Sequence, residues 1–147
     1  MNMRYHLAIL YAHYIDAILD GRKTVECRLS KLGNSPHGVL LPGDLIWLKD
    51  SCGPVRAVAS VGMVRSFDRL TPARIAWLRK RFNEQIMAPP AFWHERSGAR
   101  FATLVWLRNV CALQPFRVAK SDRRAWVVLA EPPAPNRPVA SVSDRLA

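Results

Sequence analysis

The sequence predicts a single α+β domain built on a small curled sheet or barrel, with helices at its side. Three observations carry that prediction. The chain has 147 residues, about one domain's worth, and half of them are apolar, enough for a sizeable core. Five or so short strand patterns recur with few helical ones, which favours a curled sheet over a doubly wound parallel one. No Gly-x-Gly-x-x-Gly or P-loop pattern accompanies them.

The elements follow in chain order. Arg4–Leu10 reads as a first strand. Tyr11–Asp20 reads as a short helix, because Tyr11, Tyr14, Ile15, Ile18 and Leu19 repeat at three and four. Gly21 suits the left-handed conformation that ends a helix. Lys23–Leu29 resumes as a strand, with Val25, Cys27 and Leu29 on one face and Thr24, Glu26 and Arg28 on the other. Ser30–Gly43 is a loop punctuated by Gly and Pro.

Asp44–Lys49 is a strand whose centre, Leu45–Leu48, is apolar on both parities and is expected to be buried on both faces. Val55–Phe67 alternates, with Val55, Ala57, Ala59, Val61, Met63 and Phe67 on one side, and Gly62 marks a bulge or a barrel corner. Thr71-Pro72 opens a second helix, Thr as N-cap and Pro in the first turn, and Ile75, Leu78 and Phe82 mark its buried face. Pro89-Pro90 stops it. Phe92-Trp93-His94 is an aromatic cluster in a loop or short helix. Arg100–Val110 and Trp126–Leu129 are closing strands. Residues 1–130 are the domain. Residues 131–147 hold four of the eleven prolines without periodicity and are expected to be a disordered tail.

Charge narrows the partners. Lys and Arg outnumber Asp and Glu 22 to 11, a formal net charge of +11. The tail's charges cancel, so the domain carries the whole excess, and a polyanion is the natural partner. The four histidines and three cysteines show no metal-ligand spacing, so no metal is expected, nor any cofactor. Three widely spaced cysteines argue against a disulfide framework and for a reducing, cytoplasmic compartment. No apolar run approaches the roughly 20 residues that span a bilayer, so no membrane contact is expected, and Met1–Leu10 lacks the features of a secretory signal.

The densest polar chemistry is Gly21-Arg22-Lys23-Thr24-Val25-Glu26-Cys27-Arg28. Strand geometry puts Glu26 and Arg28 on one face, with Lys23 at the strand's mouth. A cation, a carboxylate and a guanidinium fork converging on one pocket can grip a phosphate or the edge of a base. A solvent-facing salt bridge is the plainer reading of the charge pattern alone.

The run LAILYAHYIDAILDGRKTVECRLSK, followed by GDLIWLK and a long apolar strand, resembles the ASCH family (activating signal cointegrator homology). Its Gly-x-Lys-x-x-Glu-x-Arg hallmark is matched by Gly21, Lys23, Glu26 and Arg28, and its Gly-Asp before the next strand by Gly43-Asp44. The likeness spans Arg4–Ala130. It implies a small PUA-like mixed β-barrel with flanking helices, a cleft beside the motif, and binding of RNA or another nucleic acid. A small acetylcytidine amidohydrolase branch of that family uses the matching Lys with a Thr three residues later. Here that residue is Glu26, so the same hydrolysis is not carried over.

The resulting expectation is RNA binding, with a base or nucleotide held by Lys23, Glu26 and Arg28. Tyr11 and Trp93 are stacking candidates, and Arg123 and Arg124 belong to the positive rim. The alternative is a hydrolase on RNA or a modified nucleoside that uses Lys23 and Glu26. Cys27, on the core parity, reads as a buried small hydrophobe.

Overall fold

The computed structural model describes residues 3–120 and 123–142. The elements are β1 (Tyr5–Leu10), α1 (Ala12–Leu19), β2 (Val25–Ser30), β3 (Leu45–Asp50), β4 (Val55–Phe67), α2 (Pro72–Ile86), α3 (Pro90–Glu95), β5 (Phe101–Phe116) and β6 (Trp126–Leu129). The strands form one sheet in the order β2-β5-β4-β3-β1-β6. The β1–β3 pair is parallel and every other pair is antiparallel. The sheet curls into a half-barrel, which makes the domain α+β as expected.

Local chemistry sets the ends of the elements. Gly21 takes the left-handed conformation (φ 79°) after α1, and the amides of Arg22 and Lys23 both close onto Ala17 O. That turn delivers Lys23 to the start of β2. Thr71 Oγ1 accepts from Arg74 N at 3.2 Å, and Pro72 begins α2. Met87, left-handed at φ 60°, ends it through a bond from its amide to Asn83 O.

Three apolar clusters hold the fold. Ile15 and Ile18 of α1 plug the curl of the sheet against Leu10, Ile46, Leu48, Val61 and Val105. α2 and α3 cover the opposite face of β2 and β5, burying Ile75, Leu78, Phe82 and Trp93 over Val25, Cys27 and Leu104. A smaller cluster joins Leu7, Val55, Val127 and Leu129.

β3 departs from the expected two-sided burial. Ile46 and Leu48 are buried while Leu45 and Trp47 are only half-buried, because α1 covers one face of this strand. β4 carries the expected bulge. Val61 pairs with Leu107 but Val64 pairs with Val105, so one extra residue is accommodated at Gly62–Met63. The parity flips there. Met63 is 42 % exposed instead of core, and Val64 turns toward the α1 cluster in its place. Gly62 lies against the Arg108 side chain, which would have to shift to admit a Cβ there. β5 continues six residues past the expected Val110, paired with β4 as far as Phe116 opposite Val55.

The disordered-tail expectation fails for residues 131–142. Ala119 N bonds Arg137 O at 3.0 Å, Val139 N bonds Ala119 O at 2.8 Å, and Ala130 N bonds Ala140 O at 2.8 Å. Val139 packs on the third cluster and Ser141 is buried. Composition shows how little apolar surface such a segment can bury. It does not show the backbone groups of residues 117–119 and 130 that need partners, and an extended Pro-rich chain can serve as an edge strand. Residues 143–147 of the expected tail lie outside the described residues.

Candidate functional site

β2 alternates as its sequence requires. Val25 and Cys27 face the helices, and Glu26 and Arg28 face the inside of the curl. There they form part of the wall of a cleft of about 950 Å³ between β2, the start of α1, the α2–α3 turn and the start of β6. That size suits a nucleotide-sized ligand.

Lys23 is 2 % exposed. Its Nζ donates to Val25 O at 2.9 Å and to Ile86 O at 2.6 Å, and it stands 3.2 Å from Glu26 Oε1. Three acceptors account for the three hydrogens of an ammonium. Ile86 O belongs to the C-terminal turn of α2, the negative end of that helix dipole, so the cation is stabilised by backbone as well as by carboxylate. The Tyr14 ring lies 5.2 Å from the same nitrogen.

Glu26 is equally occupied. Oε1 accepts from Cys27 N at 3.2 Å in addition to facing Lys23, and Oε2 accepts from Arg28 Nε at 3.0 Å and Nη2 at 2.8 Å. Burial pushes its pKa upward, but the charges of Lys23 and Arg28 and their hydrogen bonds win, and hold it at about 2. Burial, reinforced by this carboxylate, drives the Cys27 thiol up to about 12, which suits a packing residue and not a nucleophile. Burial also raises the Tyr14 phenol, again with help from Glu26.

Arg28 continues the chain of contacts. Nη2 also donates to Ile9 O at 3.0 Å, and Nη1 donates to Ala125 O at 3.3 Å. The guanidinium lies over the Trp126 ring at 5.2 Å. Four of its five N–H groups therefore have acceptors among the described residues, and one hydrogen on Nη1 remains for a ligand.

The other sequence candidates separate. Tyr11 stands at the cleft mouth, 64 % exposed, its ring parallel to His13. Arg124 lines the cleft; Arg123 is exposed and outside it. Trp93 must be corrected as a stacking residue. It is 3 % exposed, packed in the α2–α3 core, with Nε1 donating to Asn83 Oδ1 at 3.1 Å. The short helix α3 turns Trp93 inward and its neighbour Phe92 toward the cleft, where Arg96 lies 4.2 Å from the Phe92 ring.

Phe92, part of the aromatic cluster that the sequence pointed to, lines the cleft beside Arg96, and Lys31 is a cleft residue that the sequence did not single out. The Phe-Trp dipeptide beside Arg96 was the available signal, but nothing in it says which ring faces outward. Overall the wall carries five cations, Lys23, Arg28, Lys31, Arg96 and Arg124, against the carboxylates of Glu26 and Glu95. Among the described residues no group of three or more His, Cys, Asp or Glu side chains is arranged to hold a metal ion. Likewise no helix there is long and apolar enough to cross a membrane.

Comparison with solved structures places this architecture. The crystal structure of ASCH from Zymomonas mobilis superposes with a TM-score of 0.66, covering 86 % of this chain and 88 % of that one at 17 % identity. The chain has the fold of an ASCH domain. Two single-residue variants of the same Zymomonas mobilis ASCH protein agree, each with a TM-score of 0.66 over 86 % of this chain, at 17 % and 18 % identity. No family model matches the chain, and no curated protein matches it. In this ASCH fold, Lys23, Glu26 and Arg28 form one continuous run of ion pairs along the cleft wall.

Proposed function

We propose that the domain binds single-stranded RNA and holds one nucleotide in the cleft beside β2. One observation carries this reading: exposed or half-exposed aromatic rings and cations alternate around a single cleft of about 950 Å³. Tyr11 and Phe92 offer faces for a base, and Lys31, Arg96 and Arg124 offer charge for phosphates. Arg28 offers its remaining Nη1 hydrogen to an acceptor on the base or the phosphate. Lys23 and Glu26 serve as positioning residues that fix the guanidinium.

The contacts of Lys23 support binding over hydrolysis. An amine with three protein acceptors around it has no free hydrogen to give and no open side from which to take a proton.

Fluorescence anisotropy with a labelled oligouridylate tests the reading. Phe92→Ala should weaken binding by about 1–3 kcal/mol, the usual worth of one stacked base. Arg96→Ala should weaken it and make its salt dependence shallower by about 0.7 in log–log slope. Affinities and slopes equal to the parent's in both variants would remove the cleft from the binding reaction.

A further inference from the structure

A second basic surface lies outside the cleft, along α2 and the end of β4. Arg74, Trp77 and Arg81 fall on one helix face at spacings of three and four. Arg65 and Phe67, two apart on β4, continue it. The guanidiniums are layered on the rings: Arg74 lies 4.1 Å from Trp77 and 5.6 Å from Phe67, Arg65 lies 5.2 Å from Phe67, and Arg81 lies 5.1 Å from Phe82. The rings themselves interlock edge to face, Phe67 with Trp77 and Trp77 with Phe82.

These arginines differ from others in the molecule. Arg22, Arg28, Arg56 and Arg96 each have a carboxylate partner. The guanidiniums of Arg65, Arg74 and Arg81 are exposed and have ring contacts but no ion pair or hydrogen bond among the described residues. Contact with a ring restrains a guanidinium while leaving its N–H groups unbonded, so part of the ordering cost of a phosphate contact is met in the free protein. Arg69, Arg79 and Lys80 add exposed positive charge nearby, against Asp68 and Glu84.

We propose that this arginine-on-aromatic stripe is a second contact surface for RNA, one that grips the phosphate backbone of the strand whose nucleotide occupies the cleft. The inference takes RNA, as the kind of polynucleotide, from the cleft reading. Three features favour a polynucleotide as the occupant. The forks match phosphate oxygens, often bidentately. Arg74 and Arg81 stand about 10 Å apart along the helix axis, a separation that successive phosphates of an extended strand can span. Trp77, exposed between them, offers a further surface for a base. The helix that carries the stripe ends at the cleft, where its C-terminal residue, Ile86, forms part of the wall.

The experiment compares the parent with the Arg74→Gln/Arg81→Gln double variant. Both sites are exposed, and a thermal melt confirms that the variant is folded. Each protein is titrated by anisotropy, across a range of salt, with a labelled uridine trinucleotide and with an oligouridylate of about twenty nucleotides, longer than one domain's usual site. The stripe predicts that the variant binds the long strand roughly tenfold more weakly, with a salt slope shallower by about 1 to 1.5, while the trinucleotide binds as to the parent. Equal long-strand affinity and slope in the two proteins would overturn the stripe and leave the cleft reading standing. A trinucleotide that fails to bind the parent, with the long-strand loss intact, would overturn the cleft and leave the stripe. Polyglutamate that binds the parent as tightly as the long strand, and loses as much in the variant, would make the stripe a face for acidic protein and overturn it as an RNA contact.

Discussion

Arg28 on β2 reaches Ala125 at the foot of β6 across the gap where the curled sheet does not close, donating to its carbonyl at 3.3 Å. The same side chain bonds Ile9 O of β1 at 3.0 Å. β2 and β6 are the two edges of the sheet, so one guanidinium does there what backbone pairing does elsewhere. The motif is therefore a strut as well as a cleft wall. Lys23 ties β2 to the end of α2, Glu26 ties Lys23 to Arg28, and Arg28 ties β2 to β1 and β6.

Removing Arg28 is expected to cost stability beyond an exposed ion pair. Arg28→Ala leaves Glu26 with half its partners and removes the side-chain bonds to Ile9 O and Ala125 O, the latter keeping only its bond from Ile9 N, and should destabilise by about 2 kcal/mol or more in urea unfolding. Arg28→Lys should recover only part of that, because an ammonium cannot reach the carboxylate and both strands with a planar fork. A loss under about 0.5 kcal/mol for the Ala variant would mean the gap is held by other contacts.

Glu26 sets an acid limit on the fold. Its pKa is depressed from 4.5 to about 2, so the unfolded chain takes up this proton first as pH falls. The stability it contributes is present above pH 4.5 and is lost as pH falls from there to about 2. The difference is on the order of 3 kcal/mol. Glu26→Gln should flatten the unfolding free energy across that window; an unchanged acid limb would show that other carboxylates govern it.

His6 produces a separate dependence at higher pH. Trp126 Nε1 donates to His6 Nδ1 at 3.1 Å, so Nε2 carries the hydrogen that faces Asp44 Oδ2 at 2.9 Å. Burial lowers the His6 pKa below 6.5 and outweighs the opposing pull of Asp44. The unfolded chain therefore binds more protons just below pH 6.5, and stability falls as pH drops through that region. A second hydrogen on Nδ1 would also break the bond to Trp126. Urea unfolding of the parent at pH values of about 7.5 and 5.5 should show this loss, and His6→Gln should show much less. Equal pH dependence in the two proteins would place the titration elsewhere.

The segment after Ala130 is expected to be structural. Truncation there removes the partners of Ala119, Arg117 and Ala130 and uncovers the cluster that Val139 packs on. The melting temperature should fall by roughly 5 °C or more. A truncated protein that melts with the parent would show these contacts contribute nothing to stability.

Much of the fold was legible because its signals are local. The three–four spacing of α1, the Thr71-Pro72 start of α2 and the alternation of β2 each name their element without reference to a partner. The features that sequence missed are set by partners far along the chain. Nothing in Gly-Arg-Lys-Thr says that Lys23 turns inward to Ile86 O, 63 residues away. Trp93 and Phe92 differ in which side of a short helix they leave, and the partners that hold Trp93 inward, Asn83 and the apolar residues of α2, lie elsewhere in the chain. Met63 left the core because the bulge at Gly62 shifted the parity behind it. In the site, the motif residues were found, but their roles were not. Spacing placed Glu26 beside Arg28 and allowed a salt bridge between them, but only the geometry shows that the pair is largely buried and that Lys23 completes it.

The central claim is that a nucleotide occupies the cleft beside β2. Two-dimensional NMR of the parent, titrated with a uridine trinucleotide, tests it most directly. The account predicts saturable shifts concentrated at Tyr11, Phe92, Arg96, Arg124 and the Arg28 side chain, with β3 and β4 unmoved. No shifts, or shifts confined to residues away from this cleft, would contradict it.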